Sequence, residues 1–405
     1  MAASAEWVSA REAAARLGVK LQTLYAYASR GLVESIPSPA GRGRHYDSQA
    51  IERLKARHDA RAGHGAVAAG ALRWGEPTLE TSISEIRQDG PYYRGHHALL
   101  LAERDLGFEA VAELLWSGRL GARRGWPRVA VGKVALPPRR RAQGAIAYLA
   151  AAVANAALGD DARHGASDEE EHERARSLIG WLSCIVGGRA TSAARKPHAS
   201  VAESLLLSYG VRGSSARVQA LDRALILCAE HELNASTFVA RVTASTQADL
   251  YACLGAALHA LSGVRHGSMT TRVEALIDEI GTPRRAAVVV RQRLARGEAI
   301  AGFGHPLYPE GDPRARALLE LAHGGGLGGS LAAFDALLTV MRKARHPEPN
   351  LDAGLVALCM ALGLPRGGAT ALFAIGRAAG WVAHALEQRS QGYLLRPRAR
   401  YVPAP

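Results

Sequence analysis

Aromatic residues make up only 5% of this 405-residue chain, and cysteine occurs four times. A composition poor in aromatics and led by Ala, Leu and Arg favours helix over sheet. Cys184, Cys228, Cys253 and Cys359 are scattered, with no Cys-x-x-Cys and no paired Cys/His spacing. That argues against a disulfide framework or a zinc site, and a reducing, cytoplasmic setting is expected. The first residues, Met1 to Trp7, hold no apolar signal core. The longest apolar run, around Ala145 to Leu158, is broken by Tyr148 and Asn155 and is too short to cross a bilayer, so no membrane partner is expected. Acidic residues are also in deficit, leaving a net charge of +13. Residues 1–73 hold eleven Lys and Arg against six Asp and Glu, and the rest of the excess is spread along the chain. Such a charge attracts nucleic acid, phosphates or carboxylates without choosing among them. The length leaves room for two or three domains.

Residues 1–60 read as a domain of their own. Ser9 and Glu12 stand at capping-box spacing at the start of a helix that Gly18 closes. A second helix is expected at about 21–30, giving the helix, glycine turn and helix of a helix-turn-helix. Residues 39–46 carry Arg42 and Arg44 and read as a short basic wing, after which Asp47 caps a third helix through 51–60. This order resembles the winged DNA-binding head of MerR-like and excisionase-like regulators. The resemblance implies that Gln22, Thr23, Tyr25, Ala26 and Arg30 face the major groove and that Arg42 and Arg44 touch phosphate. The alternative is a small helical domain that has lost its DNA contact; the arginines of the wing favour the first reading. Residues 61–74, rich in Ala and Gly, read as a linker.

Beyond the linker the pattern is helical. A turn is expected at 88–91, and apolar residues recur at helical spacing over 109–116, 138–158, 169–186, 201–208 and 216–229. The acidic run 168–171 reads as a solvated loop and helix start. No segment reads as a strand.

The chemistry gathers around Gly302-Phe303-Gly304-His305-Pro306-Leu307-Tyr308-Pro309-Glu310-Gly311-Asp312-Pro313-Arg314. The glycines allow a sharp bend and close approach to a ligand. An imidazole in the loop and a guanidinium in the first turn of the next helix suit a small keto-dicarboxylate: Arg grips a carboxylate bidentately and His donates to the carbonyl. The same pattern, alone, is also that of a Gly/Pro turn with incidental basic residues. Four more segments accompany it: His231 to Thr237, Arg265-His266-Gly267, Pro349-Asn350-Leu351-Asp352, and Gly376 to Trp381 followed by Arg396-Pro397-Arg398. In this order the five segments resemble the citrate synthase family, over about four-fifths of the chain.

The resemblance implies a mostly α fold, a two-domain all-α body behind the winged head. The large domain would span 75–265 and 360–405, with the small domain at 266–359 between. It implies three catalytic residues. Asp352 would take a proton from the methyl of acetyl-CoA, His266 would stabilise the resulting enol(ate), and His305 would polarise the ketone of oxaloacetate. His231, Arg314, Arg377 and Arg396 would bind oxaloacetate, Arg396 reaching the other subunit's site in a homodimer. No metal or bound cofactor is implied; acetyl-CoA or another acyl-CoA is a cosubstrate. Asp352 also fits a plain helix N-cap. The chain departs from the family at Pro306 and Pro309, where basic residues commonly stand, and Arg342, Lys343 and Arg345 are candidates to replace that charge. Propionyl-CoA, giving 2-methylcitrate, and a ligand-sensing DNA-binding regulator are the alternatives.

Overall fold

A computed structural model describes residues 7–29, 32–33, 35–37, 43–48, 50–51, 54, 79–121, 125–126, 139, 144–188, 199–324, 326–397, 399 and 401. The chain divides into two units, Met1–Thr81 and Ser82–Pro405.

In the first unit, β1 (Trp7–Ser9) leads into α1 (Ala10–Leu17), whose cap Ser9 accepts from the Glu12 N–H at 3.3 Å. Gly18 closes α1 in the left-handed conformation at φ 66. Then come α2 (Leu21–Ser29), β2 (Ser35–Pro37) and β3 (Arg44–Asp47), the strands pairing antiparallel in the order β1-β3-β2. Asp47 Oδ2 accepts from the Ala50 N–H at 3.2 Å and opens the next helical turn. Val8, Leu17, Leu24, Tyr46 and Ile51 close a small apolar core. α1, the Gly18 turn and α2 stand where the residue pattern puts them, and β3 forms the end of the expected wing; residues 39–42 of that wing and most of the third helix expected through 60 lie outside the described residues. Arg30, Arg42 and the linker at 61–74 lie outside the described residues.

The second unit opens with strands, contrary to the expectation of none. β4 (Ser84–Arg87), β5 (Gly90–Tyr93) and β6 (His96–His97) form an antiparallel sheet, so the expected turn at 88–91 is a hairpin whose turn is Gln88-Asp89. Its function in the fold is visible at Tyr93. The ring is wholly buried, and its hydroxyl lies 3.0 Å from the Ile226 carbonyl and 3.1 Å from the Glu230 carbonyl.

Helices follow: α3 (Ala98–Glu103), α4 (Phe108–Ser117), α5 (Ala145–Leu158), α6 (Asp168–Ile185), α7 (Val201–Ser208), α8 (Ser215–Cys228), α9 (Ala235–Ser245) and α10 (Leu250–Leu261). The chain continues through α11 (Met269–Ile280), a 3-10 turn (Pro283–Arg285), α12 (Ala286–Ala295), α13 (Pro313–His323), α14 (Ala332–Lys343), α15 (Leu351–Leu362) and α16 (Gly368–Gln391). The acidic run at 168–171 is not simply solvated. Ser167 and Glu170 make a reciprocal capping box, while Glu171 is buried and accepts from Arg389 at 2.8 Å.

α16 is the axis of the unit, packed against α4, α5, α6, α8, α9, α10, α11 and α15. By length and composition it could cross a membrane, yet 89% of its most apolar window is buried inside the unit, as befits a core helix. Its glycines permit the closest approach. A Cβ on Gly376 would lie 2.9 Å from Cys228 Cβ, and one on Gly380 would lie 2.4 Å from the Ala229 carbonyl oxygen. Small residues beside Arg377 therefore let α16 seat against the end of α8.

Candidate active site

Four stretches converge from the ends of helices. His231 comes just after α8, His266 between α10 and α11, His305 in the loop before α13, and Asp352 in the first turn of α15. Arg314 sits in the first turn of α13 and Arg377 inside α16.

The loops of His305 and Asp352 are fastened together. Phe303 and Pro349 form an antiparallel bridge; Gly304 N–H donates to the Glu348 carbonyl at 2.8 Å and Asn350 N–H to the Gly302 carbonyl at 2.9 Å. Gly302 has φ 87, and a Cβ there would lie 2.7 Å from Val273 and 3.0 Å from the Ala353 Cβ. Only glycine combines that backbone with that contact.

The two readings of Asp352 separate here. Asn350 is the cap: its Oδ1 accepts from the Asp352 and Ala353 N–H groups at 3.1 and 3.4 Å. The Asp352 carboxylate is thereby released from capping. Burial, with Asp312 adding and Arg314 and Arg377 opposing, raises its carboxyl to about 6. A carboxylate so placed is a better base than a solvated one.

His266 is held by the start of α9. The Ser236 N–H points at Nε2 at 3.3 Å, and the Ser236 hydroxyl lies 2.8 Å from the same nitrogen. Since a backbone N–H can only donate, Nε2 carries the lone pair and the ring proton sits on Nδ1. Trp381 Nε1–H donates to the Ser236 hydroxyl at 3.2 Å, tying this arrangement to α16. Burial, with Arg377 adding, lowers the imidazole to about 4, so it is neutral near pH 7.

His305 is the mirror case. Its Nδ1 accepts the Leu307 N–H at 3.2 Å, which leaves Nε2–H as donor. Burial and then Arg314 lower it. His231 is held well below its ordinary value by burial, then by Arg314 and Arg377, and its Nε2 lies 3.0 Å from the Tyr308 hydroxyl. The residue after it, Glu232, has φ 58, a strained left-handed backbone for a non-glycine.

Arg314 is 2% exposed and forms a fork with Asp312, Nε to Oδ1 at 2.9 Å and Nη2 to Oδ2 at 2.8 Å. Asp312 Oδ2 also accepts the Leu351 N–H at 3.1 Å, binding this pair to the helix of Asp352. Arg377, also 2% exposed, donates from Nε to the Cys228 carbonyl at 2.7 Å. Arg314 acts electrostatically on His231, His305 and Asp352, and Arg377 on His231, His266 and Asp352, so these residues share one site. Two buried cations, three neutral histidines and a raised carboxyl can bind a small dianion, donate to two carbonyl oxygens and accept one proton.

Arg396 does not join this cluster within the chain; it lies exposed in the segment after α16. In the first unit Gln22 and Tyr25 are exposed on one face of α2, and Thr23 is half-buried. Arg44 donates from Nε to the Ser35 hydroxyl at 2.8 Å and from Nη2 to the Ser35 carbonyl at 3.1 Å, so it braces the wing. Sequence reasoning missed Ser236, Tyr308 and Asp312 as supports. It also missed the wholly buried pair of Glu230 and His384, 3.2 Å apart.

The fold and cluster thus define a mostly helical protein with an acid-base site built around two buried arginines. Residues 71–398 match the model of the citrate synthase C-terminal domain, and residues 8–65 match that of the MerR HTH family of regulatory proteins. The 2-methylcitrate synthase of Mycobacterium tuberculosis is 32% identical over 345 residues, 79% of this chain and 87% of that protein. Citrate synthase 2 of Bacillus subtilis is 38% identical over 206 residues, 50% of this chain. The chain spans about half the length of this and the next curated relatives, 55% for the Bacillus protein and 51% for a putative citrate synthase 2 of Mycobacterium bovis. The structure of the Thermoplasma acidophilum citrate synthase in ternary complex with carboxymethyl coenzyme A and oxaloacetate superposes with TM-score 0.70. It is 25% identical and matches over 83% of this chain and 96% of that one. The chain belongs to the citrate synthase family and carries an N-terminal MerR-type helix-turn-helix.

Proposed function

We propose that this protein condenses acetyl-CoA with oxaloacetate and hydrolyses the product to citrate and CoA. The observation that carries the reading is the Asp352 carboxyl, freed from capping by Asn350 and raised to about 6 in one site with neutral His266 and His305. Asp352 takes a proton from the thioester methyl while His266 donates from Nδ1 to the thioester oxygen. The enol carbon attacks the ketone, polarised by Nε2–H of His305, and water then cleaves the citryl thioester to citrate and CoA.

His231, Arg314 and Arg377 hold the carboxylates of oxaloacetate, and Arg396 completes the site of a second copy in a homodimer. Residues 266–359 act as a small domain that closes over CoA against a large domain of 75–265 and 360–405. Pro306 and Pro309 stand where the family commonly has basic residues, and Arg342, Lys343 and Arg345 supply charge for the CoA phosphates instead. The winged head binds DNA through Gln22, Thr23, Tyr25 and Arg30, with Arg42 and Arg44 at the wing.

Two other readings have an observation each. The relative named 2-methylcitrate synthase favours propionyl-CoA as cosubstrate. The MerR-type segment favours a regulator whose body senses a ligand. CoA release followed with a thiol reagent separates them. Release from acetyl-CoA that depends on oxaloacetate supports citrate formation, and faster release from propionyl-CoA moves the assignment to 2-methylcitrate. No release from either thioester, in a folded protein that binds oxaloacetate, supports the sensor.

A further inference from the structure

Tyr308 is 3% exposed and lies against His231, His305 and Arg314 at once. Its hydroxyl lies 3.0 Å from His231 Nε2, its ring centroid 5.0 Å from that of His305, and the Arg314 guanidinium sits 5.4 Å from the centroid. A tight bend fixes it, with the Tyr308 N–H donating to the His305 carbonyl and the Gly311 N–H to the Tyr308 carbonyl, both at 3.0 Å.

The bond to His231 has two possible directions, and only one suits an anion. A neutral imidazole has a single N–H. Were Nε2 to donate to the phenol, Nδ1 would turn a lone pair toward a carboxylate. With the phenol donating, Nδ1 keeps its hydrogen for the ligand. Among the described residues Nδ1 of His231 has no protein partner, and it is not among the sealed orphan imidazole nitrogens, which occur at His45 and His384.

We propose that Tyr308 is a positioning residue for substrate binding: its phenol donates to Nε2 of His231, selecting the tautomer that presents Nδ1–H to a substrate carboxylate. The ring, packed against His305 and within reach of Arg314, separately holds His305 at its angle to the ketone. This rests on the dicarboxylate reading of the site.

Tyr308→Phe and Tyr308→Leu in the full chain separate the two contributions. Oxaloacetate binding is followed by calorimetry, turnover by CoA release, and folding by thermal melting. The Phe variant keeps the ring and should weaken oxaloacetate binding and raise its KM about tenfold, the effect of one buried hydrogen bond. Its kcat should stay within about twofold and its melting temperature should hold. The Leu variant should show the same weakening plus a kcat about tenfold lower. Wild-type affinity in the Phe variant would overturn the role of the hydroxyl, and equal kcat in the two variants would overturn that of the ring. A wild-type protein that binds no oxaloacetate would instead overturn the dicarboxylate reading, and this proposal with it.

Discussion

A methyl group added at Gly302 has nowhere to go. Its position lies 2.7 Å from Val273 Cγ2 and 3.0 Å from Ala353 Cβ, on two different helices, and the backbone there has φ 87. Val273 is wholly buried and β-branched, so it has little freedom to swing aside. A left-handed alanine costs about 1–2 kcal/mol, and overpacking of this kind adds about 1–3 kcal/mol. Gly302→Ala should thus lose roughly 2–5 kcal/mol. Unfolding entropy of about 2.1 cal/mol/K per residue, over the unit Ser82–Pro405, makes each kcal/mol worth roughly 1.5 °C. Scanning calorimetry should therefore show the melting point of this unit down by roughly 3–7 °C. The activity loss should be larger than the stability loss suggests, because relief comes only by prising Gly302 from Asn350, which parts His305 from Asp352. A fall in kcat of about a hundredfold is expected from a displacement near 1 Å. A variant that melts within 1 °C of wild type and keeps full activity would refute this account of the bridge.

Asp352→Asn should abolish turnover while calorimetry still detects oxaloacetate binding. The same variant should be more stable than wild type at pH 8. The raised carboxyl binds its proton more tightly in the folded state, so its favourable contribution exists at acid pH and is lost as pH rises through about 6. Asn escapes that loss, gaining up to about 3 kcal/mol at pH 8 and nothing near pH 3 in urea titrations. For wild type, kcat/KM should fall as pH drops through about 6, tenfold for each further unit, as the base protonates; a flat profile between pH 5 and 7 would take Asp352 out of that role. Arg241 is fully buried and donates to Gln388, Glu387 and Gln391 on α16 at 2.9, 3.0 and 2.7 Å. Arg241→Met removes the buried guanidinium that joins Gln388, Glu387 and Gln391 and should cost about 3–5 kcal/mol by denaturant titration.

What could be read from sequence was local. Ser9 and Gly18 cap α1 by short-range chemistry, and helical spacing anticipates α7 and α8 to within a residue or so. The ordered motifs supplied seven candidate residues, and six of them lie in one cluster here; Arg396 does not enter it within one chain. The supports were hidden because their partners are distant in sequence. His384 meets Glu230 across 154 positions, Trp381 meets Ser236 across 145, and Tyr93 meets Glu230 across 137. Asn350 is different. An Asn immediately before Leu351 and Asp352 is itself a cap signal, and weighing it would have released Asp352 from the competing role. The hairpin at 84–97 escaped because its strands are two to four residues long, too short for alternation to stand out.

The polar face of α16 behaves as a ruler laid along residues 228–241. Arg377 meets the Cys228 carbonyl, Gly380 N–H the Ala229 carbonyl, Trp381 meets Ser236, His384 meets Glu230, and Gln388 meets Arg241. Inserting or deleting one residue in this helix would rotate everything beyond it by roughly 100° and slide it about 1.5 Å. Every later mark on the ruler would then miss its counterpart at once. Length changes are therefore barred from α16 between Arg377 and Gln388. Over a lineage, new specificities would have to arise by substitution around this frame and by insertion away from it.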